Sequence, residues 1–269
     1  NNTQTELRQA NTETSEIAVQ SQMEKSDEKY EYAVDSGTNT ATITKYLGNE
    51  SVIAIPEKIE NLVIVSIGDY AFQDCKGLTE VEIPGSVTNI GTEAFEGCES
   101  LSTITLNDGL ESVGRNFIGG TQVTELTVPK TVTSMNYALY GAQNLKKVSF
   151  GEGMEKIPGY VFQRWNSYDP SSKVEEIEIP EGVKTIGRSV FDNCDGLNEI
   201  KLPESLETIE DGAFMDCDGL KGLVLPKSLK TIKDYAFQDC KGLTEVEISG
   251  SVTNIGTEAF EGCESLSTI

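Results

Sequence analysis

Histidine is absent from all 269 residues of this chain. Without it there is no imidazole general base near neutral pH, and neither a Ser-His nor a Cys-His nucleophile can form. Imidazole metal ligands are excluded too. Catalysis by two carboxylates about 5–10 Å apart, as in glycosidases, remains open but needs a groove lined by aromatic side chains. The chain has a single tryptophan, so we expect no enzyme and no cofactor.

Basic residues are scarce. The chain has 21 Lys and Arg against 44 Asp and Glu, which gives a formal net charge of −23 at pH 7. A surface this acidic repels phosphate backbones and anionic lipid headgroups. We therefore expect neither nucleic acid nor a membrane surface among the partners.

Long apolar runs are missing as well. Stretches such as Val63–Val65 are far too short to span a bilayer, and no charged-then-apolar leader begins at Asn1. No membrane insertion is predicted. The chain is either intracellular or a mature fragment without its signal peptide.

Internal repetition is the dominant feature of what is present. The chain from residue 67 onward divides into lines that each open on a buried-type aliphatic residue. Successive openings lie 22 or 23 residues apart, with one interval of 29 between Ile157 and Ile186. The openings are Ile67, Ile90, Val113, Met135, Ile157, Ile186, Ile209, Ile232 and Ile255.

Each line has the same internal pattern. Apolar and polar residues alternate over 78–83, as in a half-buried strand, with Val81 and Ile83 inward and Glu80 and Glu82 outward. The Ala-Phe stretch before it is short enough for a single helical or 3₁₀ turn. A column of large apolar residues marks this stretch: Phe72, Phe95, Phe117, Leu139, Phe162, Phe191, Phe214, Phe237 and Phe260. The pattern predicts an α/β solenoid of about nine turns, with one parallel sheet and short helical or 3₁₀ turns opposite it.

Two segments are nearly identical. Residues 69–104 and 234–269 match at every position except Pro84 against Ser249. Such a match indicates duplication of whole repeats, which a solenoid tolerates because each turn contacts only its neighbours.

The repeat resembles the BspA-like leucine-rich repeats of bacterial surface and secreted proteins, which also occur in some protozoa. The resemblance rests on A-F-x-x-C followed by L-x-x-[IV]-x-[ILV]-P and I-G, as in Ala71-Phe72…Cys75 and Ala213-Phe214…Cys217. It covers about residues 30–269. It implies a leucine-rich-repeat fold, an extracellular or cell-surface location, and adhesion to matrix proteins or cells. The family has no shared catalytic residues.

The chain divides into three parts. Residues 1–29 are polar and predict a flexible tail or linker, with a short helix over Glu6–Gln22 as the alternative. Residues 30–66 predict an N-terminal cap and first turn, with a β-hairpin around Ser36–Asn39. Residues 67–269 are the repeats, and the last is incomplete, so a natural or engineered truncation is expected there.

The six cysteines share one column of the repeat. They are Cys75, Cys98, Cys194, Cys217, Cys240 and Cys263. Neighbours on adjacent turns lie about 5 Å apart, which permits a disulfide by Cα separation. Parallel side chains in register are poorly aimed for one, and Gly120 and Ala142 replace cysteine in two lines. We expect buried free thiols and no metal.

The outward strand positions form the candidate partner surface, because that face is extended and rigid. The alternative is a solvated sheet face without a partner. The candidate residues are Glu80, Glu82, Thr103, Thr105, Glu125, Thr127, Lys147, Glu176, Glu178, Glu199 and Lys201, with Ser149, Glu245 and Glu247 in the same ladder.

The fifth line carries about six extra residues around Arg164–Pro170. Trp165 and Tyr168 lie there as candidate anchors for a partner. Alternatively, Trp165 folds back and plugs the gap where the cysteine column is interrupted.

Three functions remain to be weighed. The favoured one is a non-catalytic binding module that adheres to a protein or glycan on host or neighbouring cells through the strand face and the insertion. The second is a structural spacer or stalk within a longer surface protein. The third is a carbohydrate-active enzyme, which the few surface aromatics disfavour.

Overall fold

The computed structural model describes residues 22–164 and 172–269. Within them the chain forms a solenoid of about nine turns, built from short strands and hydrogen-bonded turns. Residues 1–21, which include most of the predicted tail, lie outside the described part. The strands are β1 (Gln22–Ser26), β2 (Tyr30–Asp35), β3 (Thr40–Tyr46), β4 (Val52–Ala54), β5 (Lys58–Ile59), β6 (Leu62–Ile67), β7 (Glu80–Ile83), β8 (Asn89–Ile90), β9 (Thr103–Leu106), β10 (Ser112–Val113), β11 (Glu125–Val128), β12 (Lys147–Phe150), β13 (Lys156–Ile157), β14 (Glu176–Glu178), β15 (Thr185–Ile186), β16 (Thr208–Ile209), β17 (Gly222–Val224), β18 (Thr231–Ile232), β19 (Glu245–Glu247) and β20 (Asn254–Ile255).

One ladder of parallel strands carries the outward polar residues, and we call it the strand face. It consists of β4-β7-β9, β11-β12-β14 and β17-β19. The alternation predicted for each repeat is confirmed in β7, where Val81 and Ile83 are buried while Glu80 and Glu82 are exposed. Apolar side chains on the inner side join neighbouring turns through the core, and backbone pairing joins them through the sheet.

A second parallel ladder runs along the line openings, so the expectation of one sheet was wrong. It contains β6-β8-β10 and β13-β15-β16-β18-β20, and Ser112 and Ser134 form an isolated parallel bridge beyond β10. Each of its repeat strands holds the aliphatic opening and the residue before it, such as Asn89–Ile90. Two residues are too few for a visible alternation, so the sequence showed this position only as a core residue.

The segment between the ladders contains no α-helix or 3₁₀-helix in the described residues, so the expected helical turns are absent there. Tyr70 and Asp74 have positive φ angles of 60° and 59°, which interrupt a helical path. Alternate amides point to the next turn instead: the Phe72 N–H donates to the Ala94 carbonyl at 2.8 Å, and Phe95 donates to Phe117 at 2.8 Å. Stacking between turns therefore takes the backbone donors that a helix would use internally.

An antiparallel hairpin of β2 and β3 precedes the repeats, and β3 continues in parallel pairing with β6. Its turn places Asn39 at φ 57° and lets the Gly37 N–H donate to Asp35 Oδ1 at 2.9 Å. The Tyr46 ring stacks on Phe72 with centroids 5.1 Å apart, so an aromatic side chain meets the first phenylalanine of the column. That the hairpin caps the solenoid stays a prediction.

β1 extends this sheet by pairing antiparallel with β2. It lies at Gln22–Ser26, before the boundary drawn at residue 29. Pairing with an open strand edge uses backbone groups alone, so a polar sequence does not prevent it.

The core is a column of stacked phenylalanines. Ring centroids on adjacent turns lie 4.8 Å apart for Phe72 and Phe95 and 5.1 Å apart for Phe214 and Phe237. In the third turn the column is filled by Ile118, not by Phe117. Asn116 and Gly120 have positive φ angles of 53° and 71°, as Glu93 and Gly97 have in the second turn (53° and 73°). Ile118 is therefore equivalent to Phe95, one residue later than the sequence pattern predicted.

The same alignment changes which residues belong to the cysteine column. In the third turn its place is taken by Thr121, which is 3% exposed, and not by Gly120. In the fourth turn Ala142 fills it, as expected, since the Leu145 N–H donates to Ala142 as Leu101 does to Cys98. In the fifth turn Ser172 takes this place and is 6% exposed. It lies two residues before Val174, just as Thr121 lies two residues before Val123. The column therefore accepts small side chains.

Candidate functional site

The strand face brings most of the predicted partner residues into register. Glu80 and Glu82 lie directly beside Thr103 and Thr105, and Glu125 and Thr127 lie beside Lys147 and Ser149. All of these side chains are exposed except Lys147 and Ser149, which are half-buried. The face therefore displays two polar columns at fixed spacing along the stack.

An ion-pair cluster lies at the centre of the face. Lys147 Nζ is 2.8 Å from Glu176 Oε1 and 2.6 Å from Glu178 Oε1, and the Ser149 hydroxyl donates to Glu178 Oε2 at 2.6 Å. The hydrogen bonds that Lys147 donates to these carboxylates raise its pKa. Those from Lys147 and Ser149 lower the pKa of Glu178. The cluster holds three of the predicted residues in one arrangement.

The strand face is interrupted between β9 and β11, which do not pair within the described sheets. The third turn has one residue fewer here, because Thr121-Gln122-Val123 stands where the second turn has Cys98-Glu99-Ser100-Leu101. The Gln122 N–H donates to the Leu101 carbonyl at 2.8 Å, ahead of the strand itself. Because this connection is shorter, β9 and β11 are not paired in one sheet.

A shallow cleft of about 180 Å³ occupies the interruption. Thr105, Thr127 and Ser149 bring hydroxyl groups to it, and Glu125 and Lys147 bring opposite charges. Ile104 and Leu106 on its floor are 7% and 8% exposed, whereas Val81 and Ile83 in the adjacent strand are fully buried. Five outward residues of the strand face therefore converge on one concave spot, which the sequence did not predict.

Other predicted residues are placed differently. Glu199 and Lys201 are exposed but lie in a segment that forms no strand, between β14 and β17. Trp165 and Tyr168 lie outside the described residues, so neither interpretation of Trp165 is tested. Sequence reasoning missed Val224, which points outward from β17 and is 72% exposed. The apolar run Leu223-Val224-Leu225 hides the alternation that marks it as outward.

A buried carboxyl lies next to the insertion. Asp192 is 2% exposed; its Oδ2 accepts a hydrogen bond from Gln163 Nε2 at 3.0 Å, and its Oδ1 accepts one from Asn193 Nδ2. Burial raises the pKa of Asp192 to about 6, although the hydrogen bonds from Gln163 and Asn193 act in the opposite direction. This group is the most buried carboxylate in the described chain.

The six cysteines are free thiols, as expected, but only four are buried, since Cys75 and Cys263 are half-buried. Burial raises the pKa of Cys194 and of Cys217, so these thiols are not thiolates near neutral pH. Among the described residues there is no group of three or more carboxylates or cysteines placed to hold a metal ion. In the same residues no helix has the length and apolar character needed to cross a membrane.

Comparison with known proteins identifies the repeat. The family profile for the BspA type leucine-rich repeat region matches residues 65–169 and 164–269, with six copies. No curated protein shows significant similarity to the chain.

Solved structures of bacterial leucine-rich-repeat proteins resemble it along most of its length. The T. pallidum leucine-rich repeat protein is 26% identical, with 91% of each chain covered and a TM-score of 0.43. A leucine-rich cell surface protein of Faecalibacterium prausnitzii is 24% identical over 92% of this chain and 94% of that one, with a TM-score of 0.48. The pneumococcal vaccine antigen PcpA is 20% identical over 91% and 86%, with a TM-score of 0.40. The profile match spans well over half of the sequence, and the chain belongs to the family of BspA-type leucine-rich-repeat proteins.

Proposed function

We propose that the chain is a non-catalytic binding module of a bacterial cell surface or secreted protein, which adheres to a protein or glycan on host or neighbouring cells. The repeats are of a type found in protein-interaction modules, which supports a binding role. The observation that carries the proposal is the strand face with its cleft between β9 and β11. A rigid, extended and mostly polar surface of this kind suits docking over a large area at little ordering cost.

The strand face offers a partner both charge and hydrogen-bonding groups. Lys147 lies between Glu125 on one strand and Glu176 on the next, and hydroxyl groups of Thr105, Thr127 and Ser149 lie around it. Acidic columns on either side favour partners with basic or hydroxyl-rich surfaces. The insertion residues Trp165 and Tyr168 are proposed to add aromatic anchors.

The test is binding of the full chain to a panel of immobilised matrix proteins, mucins and glycans. The strand-face variant is Glu176→Lys with Glu178→Lys, and Trp165→Ala tests the insertion. Glu152→Lys with Glu204→Lys is the matched control, because it makes the same charge change at exposed turn residues outside the strands of the strand face. Saturable binding that the strand-face variant weakens at least tenfold, and that the control leaves unchanged, supports the proposal.

The alternative is a structural spacer within a longer surface protein. The many ion pairs between successive turns, such as Lys230–Glu207 at 2.7 Å and Lys233–Glu210 at 2.6 Å, suit a stiff stalk equally well. A spacer predicts no binding across the panel and no effect of either pair of charge reversals.

A further inference from the structure

A second groove, of about 430 Å³, lies away from the strand face. It runs beside the second ladder, where the third turn meets the fourth, and neither the strand face nor the insertion contributes to it. Its lining includes Arg115, Asn136 and Tyr137 on the turns and Asn89, Ser112 and Ser134 along the ladder.

A missing residue in the fourth turn creates this groove. In the third turn the left-handed residue Asn116 follows the opening Val113 by three positions, whereas in the fourth Tyr137 follows Met135 by two. The third turn packs tightly on the second at the equivalent place, where a Cβ on Gly114 would lie 2.5 Å from the backbone of Gly91. The shortened fourth turn cannot cover the third turn in the same way, so the polar edge of the third turn stays open.

The floor of the groove is a chain of hydrogen-bonding groups that mixes donors and acceptors. The Ser112 hydroxyl donates to Asn89 Oδ1 at 2.7 Å, and Asn89 Nδ2 donates to the Ser66 hydroxyl at 3.1 Å. Arg115 pairs with Glu93 at 2.7 Å, so its guanidinium charge is balanced within the wall. Both amide and hydroxyl groups are thus held at fixed positions one turn apart.

Tyr137 lines the other wall, and its ring is backed by Tyr160 outside the groove. The rings of Tyr137 and Tyr160 lie on adjacent turns with centroids 6.2 Å apart and planes inclined by 26°. Both tyrosines have left-handed backbones, with φ of 57° and 60°, a conformation that bulky side chains adopt rarely. The equivalent residues of turns without the groove, such as Tyr70 and Tyr235, have the same backbone, so this conformation is a feature of the repeat that fixes the position of Tyr137.

We propose that this groove binds a neutral saccharide, with a sugar ring against Tyr137 and its hydroxyl groups on the Asn89–Ser112 chain, Asn136 and Arg115. Sugar hydroxyls both donate and accept hydrogen bonds, which matches the mixed amide, hydroxyl and guanidinium groups. The C–H face of a sugar ring needs a flat apolar surface, which the tyrosine ring provides. The proposal adds a second ligand surface to the proposed function and does not depend on the strand face.

Two other ligand classes fit the groove less well. An anion would compete with Glu93 for Arg115 and would approach a chain of net charge −23. An apolar peptide would need exposed apolar lining, yet Val113 on the wall is only 3% exposed. A neutral, hydroxyl-rich ligand meets neither obstacle.

The test is saturation-transfer NMR on the full chain with neutral oligosaccharides as probes: maltotetraose, mannotriose and N-acetyllactosamine, each beside an acidic form that carries a uronic or sialic acid. The variant is Tyr137→Ser, because Ser189 occupies the equivalent position of the sixth turn at φ 46° and shows that the backbone accepts serine. Tyr235→Ser is the matched control, since Tyr235 has the same left-handed backbone (φ 60°) on a turn without the groove.

We expect transfer to sugar ring protons from at least one neutral probe, with binding weakened roughly tenfold by Tyr137→Ser and unchanged by Tyr235→Ser. Strand-face reversal at Glu176 and Glu178 should leave it intact, which separates this site from the proposed function. Absence of transfer from every neutral probe would overturn the proposal. Equal binding by the Tyr137→Ser variant, or binding of the acidic forms alone, would overturn it as well.

Discussion

The thiol of Cys98 donates a hydrogen bond to the backbone carbonyl of Phe72 on the preceding turn, with sulfur and oxygen 3.1 Å apart. The contact recurs between Cys217 and Phe191, between Cys240 and Phe214, and between Cys263 and Phe237. Each of these four cysteines is thus a small side chain that ties two turns together, and all of them except Cys263 are fully buried. This accounts for the small residues Thr121, Ala142 and Ser172 at the other described positions of the column.

Two substitutions of Cys217 should show how much its small size and its hydrogen bond each contribute to stability. Cys217→Ala should lower the free energy of unfolding by about 1 kcal/mol, since the Phe191 carbonyl keeps its bond from the Cys194 N–H. Cys217→Leu should cost about 1–3 kcal/mol more, because the fully buried site has no room for it. Urea unfolding followed by circular dichroism measures both. Leucine tolerated as well as alanine would contradict the packing account.

The sequence predicted the repeat architecture because a single pattern recurs with clear alternation. It did not predict the second ladder, whose strands such as Thr185–Ile186 hold only two residues. Nor could it place the two missing residues within the third and fourth turns. Phe117 and Ile118 are equally suitable for the core by hydrophobicity, and the positive φ of Asn116 and Gly120 decides between them. Both grooves arise at these two deletions, so the sequence pattern could not show them.

Because of Asp192, the free energy of unfolding should fall as the pH rises. Its pKa is raised from 3.8 to about 6 in the folded chain, so between these values the folded state holds a proton that the unfolded state has lost. Its contribution therefore falls as pH rises from 3.8 to about 6, by up to about 3 kcal/mol in all. Asp192→Asn removes this loss, and its stability relative to the unmodified chain should grow over that interval. Urea titrations at pH 4.5 and 7.5 measure the difference.

The control for that measurement is Asp108→Asn, at an exposed turn position. It should follow the unmodified chain at both pH values. An Asp192→Asn variant whose relative stability is the same at pH 4.5 and 7.5 would show that the carboxyl ionises normally despite its burial.

Two adjacent lysines offer a test of the ion-pair cluster. Lys147 contacts two glutamates and its side chain is 27% exposed, whereas Lys146 contacts Glu175 alone at 2.8 Å and is 61% exposed. Lys147→Gln should lower the free energy of unfolding more than Lys146→Gln does, because it removes hydrogen bonds to two carboxylates at once. Lys146→Gln should change it little, because solvent screens the exposed pair. Equal effects in thermal or urea unfolding would argue against a cooperative cluster.

The hairpin should protect the turn on which it lies. Tyr46 is 7% exposed and stacks on Phe72, so Tyr46→Ala should cost about 3 kcal/mol. Amide exchange should accelerate in residues 67–75 and stay unchanged in 232–240, since turns are stabilised by their neighbours. NMR can resolve the two segments despite their near-identity, because their flanking residues differ. Uniform acceleration along the chain would contradict the capping role.

The most direct test of the central claim is a footprint of a bound partner on the strand face. The strongest binder from the panel of matrix proteins, mucins and glycans would be added in saturating amount, and amide protection would be recorded by NMR. The account predicts protection concentrated in β7, β9, β11, β12 and β14 around the cleft at Thr105 and Lys147. Protection elsewhere with the strand face unaffected, or no binder in the whole panel, would contradict it.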